Sequence, residues 1–329
     1  MGKIMGTTSV IELSNPEGTS GARDTVDYVD NVEQYLKQID RIFNISDIIE
    51  EPQQEPQIIN YFLSNRLLYR LGHNWGGFYH SGISYDGAYK RDDLKEPARI
   101  VERYIHEMDA ESVLEPGSGL GSNSAFLARR NPNVRFEAID LSNKPLRSFS
   151  RIPNLSFHCG DYHDLSRFED ATYDIAFMVE TLCHSRNKPR VLREVKKKLK
   201  TNGLLLIFDA YYTTDAWPLT HSEDIMCQLV TKGLAVDRFE RLDDVEDYMR
   251  QEFSIAVSKD LSAYVIPFYV YYENRRDLRF YFNHPRFAKT VNKILPLVVV
   301  KNFVAVLLVA TTLRRQLSCY YLHVLRNDH

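Results

Sequence analysis

Between residues 112 and 208, short apolar runs alternate with amphipathic stretches, and few folds accept that pattern. The runs are 112–114 (SVL), 134–139 (VRFEAI), 155–158 (LSFH), 173–179 (YDIAFMV) and 203–208 (GLLLIF). Helical spacing fills 121–130 and 188–199, and a shorter helix is expected from Asn143. Apolar strands of this kind are buried on both faces, so they belong to a parallel sheet covered by helices. The right-handed crossover rule then favours a doubly wound α/β sandwich.

Past Asp209 the alternation stops. Helices are expected near 221–232 and 241–251, followed by a strand at 253–258, a long aromatic-rich helical excursion over 260–313 and a last strand at 318–325. The two final strands should pair at the sheet's edge. That makes seven strands with the last one antiparallel, and the excursion between them becomes a lid. Upstream, helical spacing occupies 24–43 and 56–71, separated by the connector EEPQQEPQ, while 1–23 shows no pattern of fixed structure. HNWGGFYHSGISYDGAY is too irregular for a regular element, and Asp92-Asp93 is positioned to cap the helix that runs to about Met108. Three regions follow: an N-terminal helical extension and aromatic loop (1–92), an α/β core (93–215), and a cap with the final hairpin (216–329).

Charge and cysteine usage narrow the function classes. Lys plus Arg total 41 against 44 Asp plus Glu, a net charge of −3, which offers nucleic acid no basic footprint. Four cysteines stand apart without a CxxC pair, so neither a disulfide framework nor a metal site is expected, and a reducing, cytoplasmic setting fits. The first residues contain no apolar core of a signal peptide. Residues 294–313 match a bilayer span in length, but Pro296 breaks the start and Lys301-Asn302 lie inside. A central lysine costs about 2.5–3.5 kcal/mol on insertion. A buried helix, or one lining an apolar substrate chamber, is the expected outcome, with peripheral membrane contact as the intermediate reading. No pattern sets an oligomeric state.

The strongest local signal is VLEPGSGLG (113–121) at a strand-to-helix turn. Gly117, Gly119 and Gly121 let the backbone turn sharply and approach a ligand, at which the next helix points its unpaired N–H groups. Asp140 ends the second strand about 20 residues on, where a carboxylate can accept hydrogen bonds from ribose hydroxyls. Gly160-Asp161 can place a carboxylate beside an adenine amino group, or can be a plain turn.

As a set these segments resemble the core of class I methyltransferases that use S-adenosylmethionine, over about 95–210. VLEPGSGLG resembles their first motif, EAIDLS their ribose-binding acidic motif and CGDYHDL their adenine-binding motif. The resemblance implies a Rossmann-like sheet and a cofactor site formed by Glu115, Gly117, Ser118, Gly119, Gly121, Asp140, Leu141, Asp161 and Tyr162. Glu115 stands where many members carry Asp. ETLCH (180–184) is similar to a segment of sterol C-methyltransferases. WGGFYHSGIS (75–84) is similar to the aromatic loop of sterol, tocopherol, squalene and prenyl-diphosphate methyltransferases.

That likeness implies a small, apolar acceptor with an alkene. Methylating an alkene carbon leaves a cation, which aromatic faces stabilise by about 0.5–2 kcal/mol each, and a base must then remove a proton. Glu180, at the carboxyl end of the fourth strand, is the candidate base, with His184 as its partner. Trp75, Phe78, Tyr79 and His80 are candidates for the lid and cation cage, Trp75 and Phe78 on the acceptor. Alternatives stay open. Glu180 could bind the cofactor's amino group or cap a helix, and the acceptor could be an oxygen or nitrogen with His184 or His80 as base. The chain could also bind cofactor without turnover. The Gly-x-Gly-x-Gly spacing disfavours an NAD-dependent dehydrogenase. The aromatic run at 264–282 could roof the acceptor or pack as an ordinary helix face. Arg275, Arg276 and Arg279 within it read as a solvated face before a phosphate site.

Overall fold

The computed structural model describes residues 31–51, 76–141, 149 and 151–328. The expectations for 1–23, the helix at 56–71, the short helix from Asn143 and the role of Trp75 lie outside the described residues, as do the side chains of 276–279.

The core starts with α3 (Glu96–Glu107), then β1 (Ser112–Pro116), α4 (Ser122–Arg130), β2 (Arg135–Asp140), β3 (Leu155–Cys159), β4 (Tyr173–Val179), α5 (Lys188–Lys198) and β5 (Leu199–Tyr212). It continues through α6 (His221–Gly233), α7 (Leu242–Glu252) and β6 (Ser254–Asp260) to four helices: α8 (Ser262–Glu273), α9 (Arg276–Asn283), α10 (Pro285–Asn292) and α11 (Leu297–Arg314). Strand β7 (Ser318–Arg326) closes the chain, and α1 (Val32–Asp40) and α2 (Ile45–Glu50) precede the core.

All seven strands form one sheet in the order β3-β2-β1-β4-β5-β7-β6. The first five are parallel, and β7 runs antiparallel between β5 and β6. The doubly wound sheet with an antiparallel final hairpin is therefore the architecture observed. Strand β1 is buried at every position, as expected of a strand covered on both faces. The order reverses beside β1, and in open α/β sheets ligands bind outside the carboxyl ends of strands at that switch point.

Two local expectations change. The 203–208 strand is the middle of a fourteen-residue β5. Its ends pair with Tyr173 at one side and Ser318 at the other, so ladder partners extend it past its apolar centre. Asp92 and Asp93 do not cap α3. They lie in a short 3-10 turn at Arg91–Lys95, where Asp93 accepts from the Lys90 N–H at 2.8 Å and from Ser84 Oγ at 2.6 Å. Helix α3 starts at Glu96 instead, with Pro97 in its first turn, where a residue without an N–H leaves no bond unmade.

Among the described residues one helix, α11, is long and apolar enough to cross a bilayer. In the fold it is mostly buried and packs on α6 and α8. Lys301, only 5% exposed, is answered by the Glu51 carboxylate at the end of α2. A buried lysine needs such a partner, since an isolated ammonium in a dry interior is prohibitive.

Candidate active site

The β1–α4 turn is built from backbone that only glycine adopts comfortably. Gly117, Gly119 and Gly121 have φ of +75°, +56° and +80°. The Gly117 and Ser118 N–H groups donate to Ile139 O at 2.8 and 3.1 Å, and Gly121 N–H to Ser118 O at 2.8 Å. Gly119 N–H donates to Asp140 Oδ2 at 2.9 Å, so the carboxylate at the end of β2 also holds the loop's apex.

Glu115 lies under this loop, 2% exposed. It accepts from the Ser124 N–H at 3.2 Å, from Asn123 Nδ2 at 3.4 Å and from the Ser124 hydroxyl. Its role in this geometry is to hold the first turn of α4 rather than to face the open side of the loop. Burial pushes its carboxyl up from 4.5 to about 7. The folded state therefore holds a proton that the unfolded chain has released, so this group's stabilising contribution is full below pH 4.5 and lost as pH rises through 7. Glu115→Gln should gain stability relative to the parent between pH 5 and 8, by about 2–3 kcal/mol. Urea melts at the two pH values check this; equal differences at both would place the carboxyl's titration outside that window.

Leu141, next to Asp140, is 47% exposed, an apolar surface at the mouth of the site. Asp161 Oδ1 accepts from the His163 N–H at 2.9 Å and meets His163 Nδ1 at 2.6 Å, so part of its carboxylate closes its own turn. Tyr162 packs inward, with its hydroxyl 3.5 Å from Thr181 O.

Beyond the loop, the carboxyl ends of β4 and β5 open into a chamber with about 1000 Å³ of empty space, its open mouth included. Glu180 follows β4 at φ +48°, a left-handed conformation that is uncommon for a side chain of this size and tends to occur at functional sites. Its N–H donates to Phe208 O at 2.7 Å, and its Oε1 accepts from the Ser81 N–H at 2.7 Å. Ser81 Oγ in turn meets Tyr269 Oη at 2.7 Å. One short chain of contacts thus ties the end of the sheet to the 76–90 loop and to helix α8.

His184 lines the same chamber, with Nδ1 3.2 Å from Ala235 O. Burial pushes its pKa down, so the ring is neutral near pH 7. Tyr79 lines the chamber and reaches the glycine loop, where a Cβ on Gly119 would stand 3.8 Å from the ring. His80 is buried in the wall with both ring nitrogens facing protein oxygens, Ser81 O at 3.0 Å and Asn123 Oδ1 at 3.2 Å. That arrangement suits a positioning group better than a base. Phe78 packs edge-on against His80, centroids 5.6 Å apart, and is not among the lining residues.

Sequence reasoning passed over Ser81, Asp209, Tyr269 and Tyr320. Tyr269 sat inside the aromatic run, most of whose other members pack rather than line the chamber. Asp209 marked only the end of a strand. Ser81 and Tyr320 carry no one-dimensional signal, since a register and a loop path put them there. The far wall is apolar, with Val230 and Leu234 from α6 or just beyond it, Phe268 from α8, and Val306, Val309 and Leu313 from α11. Within the 264–282 run, Tyr264 and Tyr272 pack in the core, while Phe268 and Tyr269 also line the chamber.

The glycine cradle, Asp140 and the apolar rim at Leu141 fit a nucleoside-bearing cofactor, with the Gly119 face open up to the Tyr79 ring. Comparison with known proteins agrees. Residues 114–207 match the family described as methyltransferase domain. The demethylmenaquinone methyltransferase of Thermotoga maritima is 32% identical over 118 residues, covering 36% of this chain and 51% of that protein. The 24-methylenesterol C-methyltransferase 2 of Arabidopsis thaliana is 21% identical over 246 residues, covering 71% of this chain and 65% of that one. The chain thus spans about half the length of the first curated relative and under two thirds of the second. Among solved structures, geranyl diphosphate C-methyltransferase from Streptomyces coelicolor A3(2) superposes with a TM-score of 0.56 at 13% identity, over 84% of this chain and 98% of that one. At that identity the likeness concerns the fold.

Proposed function

We propose that this chain, whose residues 114–207 form a methyltransferase domain of the class I, S-adenosylmethionine-dependent type, methylates a small lipophilic acceptor at an alkene carbon. When bound, S-adenosylmethionine would supply an electrophilic methyl group, and the acceptor carbon that takes it would leave the positive charge on the acceptor. The chain's own residues do the rest. The glycine loop and Asp140 hold the nucleoside end, and Tyr79 separates that site from the chamber. The apolar wall of α6 and α11 aligns the acceptor and excludes water, which is the main contribution open to an enzyme in such a displacement. The ring faces of Tyr79, Phe268 and Tyr269 shield the developing cation. Glu180 takes the proton that restores the alkene.

The observation that carries this reading is the placement of Glu180. A carboxylate in a left-handed backbone conformation is tied by Ser81 to the loop that covers the cofactor cradle, and it lines the polar end of a chamber whose far wall is apolar. Support comes also from the sterol C-methyltransferase relative. Transfer to oxygen or nitrogen is the second reading, carried by the neutral His184 in the same chamber. It needs no cage, so Tyr79→Ala would then leave the chemical step nearly untouched.

The founding test is calorimetric titration with S-adenosylhomocysteine, repeated on Asp140→Ala. Micromolar binding is expected, weakened by about 10–100-fold in the variant, since hydrogen bonds to a charged group contribute about 1.5–3 kcal/mol. No binding by the folded parent chain would sink the reading.

A further inference from the structure

The chamber's polar end has one sign of charge. Glu180 and Asp209 both line it, at the ends of neighbouring strands, and no lysine or arginine is among its described lining residues. Asp209 is 1% exposed, with Oδ2 accepting from the Cys183 N–H and Oδ1 from the Ala210 N–H, each at 2.9 Å. Burial pushes its carboxyl up from the ordinary carboxylate range, and these backbone donors pull it back toward the charged form. Between them stands Tyr320, 3% exposed, set opposite Ala210 by the β5–β7 register. Its hydroxyl is buried beside the Glu180 carboxylate, with which it interacts.

We propose that this end of the chamber selects its acceptor by charge: it takes a molecule that enters uncharged and becomes positive as the methyl arrives, with Asp209 the specificity-determining second anion and the Tyr320 oxygen facing the same centre, and it rejects molecules carrying a phosphate or diphosphate. The inference rests on the alkene-methylating reading and narrows it. The physical reason is the low dielectric of the site. A diphosphate would shed its water against two carboxyl groups, with no lysine or arginine among the described lining residues to meet it, whereas a developing carbocation finds two carboxyl groups and a phenol oxygen already oriented. Beyond burial, the charge of Asp209 pushes up the Cys183 thiol, and the charges of Glu180 and Asp209 push up the Tyr320 phenol. Atoms balance as above, since the acceptor gains CH3, loses one proton to Glu180 and leaves uncharged.

The discriminating experiment compares three probes sharing one farnesyl chain: farnesol, farnesyl diphosphate, and N,N-dimethylfarnesylamine, which is cationic at neutral pH. Each is titrated calorimetrically into the full chain with and without saturating S-adenosylhomocysteine. The ammonium probe should bind at least ten-fold tighter than the alcohol, and the diphosphate at least ten-fold weaker. Asp209→Asn should shrink the ammonium-to-alcohol ratio at least five-fold while leaving S-adenosylhomocysteine affinity unchanged. Glu180→Gln provides the same reading should Asp209→Asn fail to fold. A diphosphate that binds the parent chain as well as the alcohol overturns the proposal, and so does failure of all three probes. Loss of S-adenosylhomocysteine binding alone would instead sink the parent reading, and the probe ratios measured without it would still decide the charge selection.

Discussion

Glu180→Gln lowers turnover by about 10²–10⁴-fold, the usual range for a general base, while S-adenosylhomocysteine affinity stays within a few-fold. Glutamine has nearly the same shape and keeps an oxygen to accept from the Ser81 N–H, so the contact that orders the 76–90 loop survives. What is lost is the ability to take a proton and the negative charge opposite a developing cation. The backbone conformation at 180 is as uncomfortable for glutamine as for glutamate, so strain does not change between the two. Single-turnover rates beside calorimetric affinities separate the roles. If binding collapses together with the rate, Glu180 is a ligand of the cofactor and not the base.

Gly117→Ala removes cofactor binding and destabilises the fold. At φ +75° an alanine costs about 1–2 kcal/mol in backbone strain. Its Cβ would also stand 2.0 Å from Thr181 Cγ2 and 3.0 Å from Thr181 Oγ1. Thr181 cannot swing away cheaply, because its single hydroxyl proton is shared between Gly117 O and Val179 O, each 3.1 Å from Oγ1, and the β-branched side chain has few rotamers. Overpacking of that kind adds about 1–3 kcal/mol. The total is several kcal/mol, measured by urea melts, and the displaced loop no longer presents its N–H groups. Thr181→Ser in the same chain deletes the clashing methyl and should recover the packing share but not the strain share. A Gly117→Ala protein that melts and binds like the parent would mean that the loop has a second conformation.

The core was legible because its strands are buried on both faces and its helices on one, and both leave a period in the sequence. The five parallel strands at 112–208 and the pairing of 253–258 with 318–325 follow from that. Boundaries were less legible where hydrogen bonding rather than burial extends an element, as at both ends of β5. At 92–93 the capping signal was real but was used by the preceding turn, since Pro97 sets where α3 begins.

The cofactor side of the site follows from local chemistry. A glycine at 117 is demanded by a turn only a few residues long, and Asp140 reaches Gly119 because β1 and β2 are adjacent and in register. A sequence determines contacts of that kind on its own, because each is decided by neighbours along a strand or across one crossover. The acceptor side is different. Glu180, Ser81, Tyr269, Asp209 and Tyr320 come from five separate segments, spread from 81 to 320, and which of them face one another depends on how the 76–90 loop and the α8–α11 insertion close over the sheet. Side-chain periodicity reports which face of an element is apolar, but not which foreign element will cover it. For this chain that step belonged to tertiary packing: only the assembled chamber turned two carboxylates and a buried phenol into a single site.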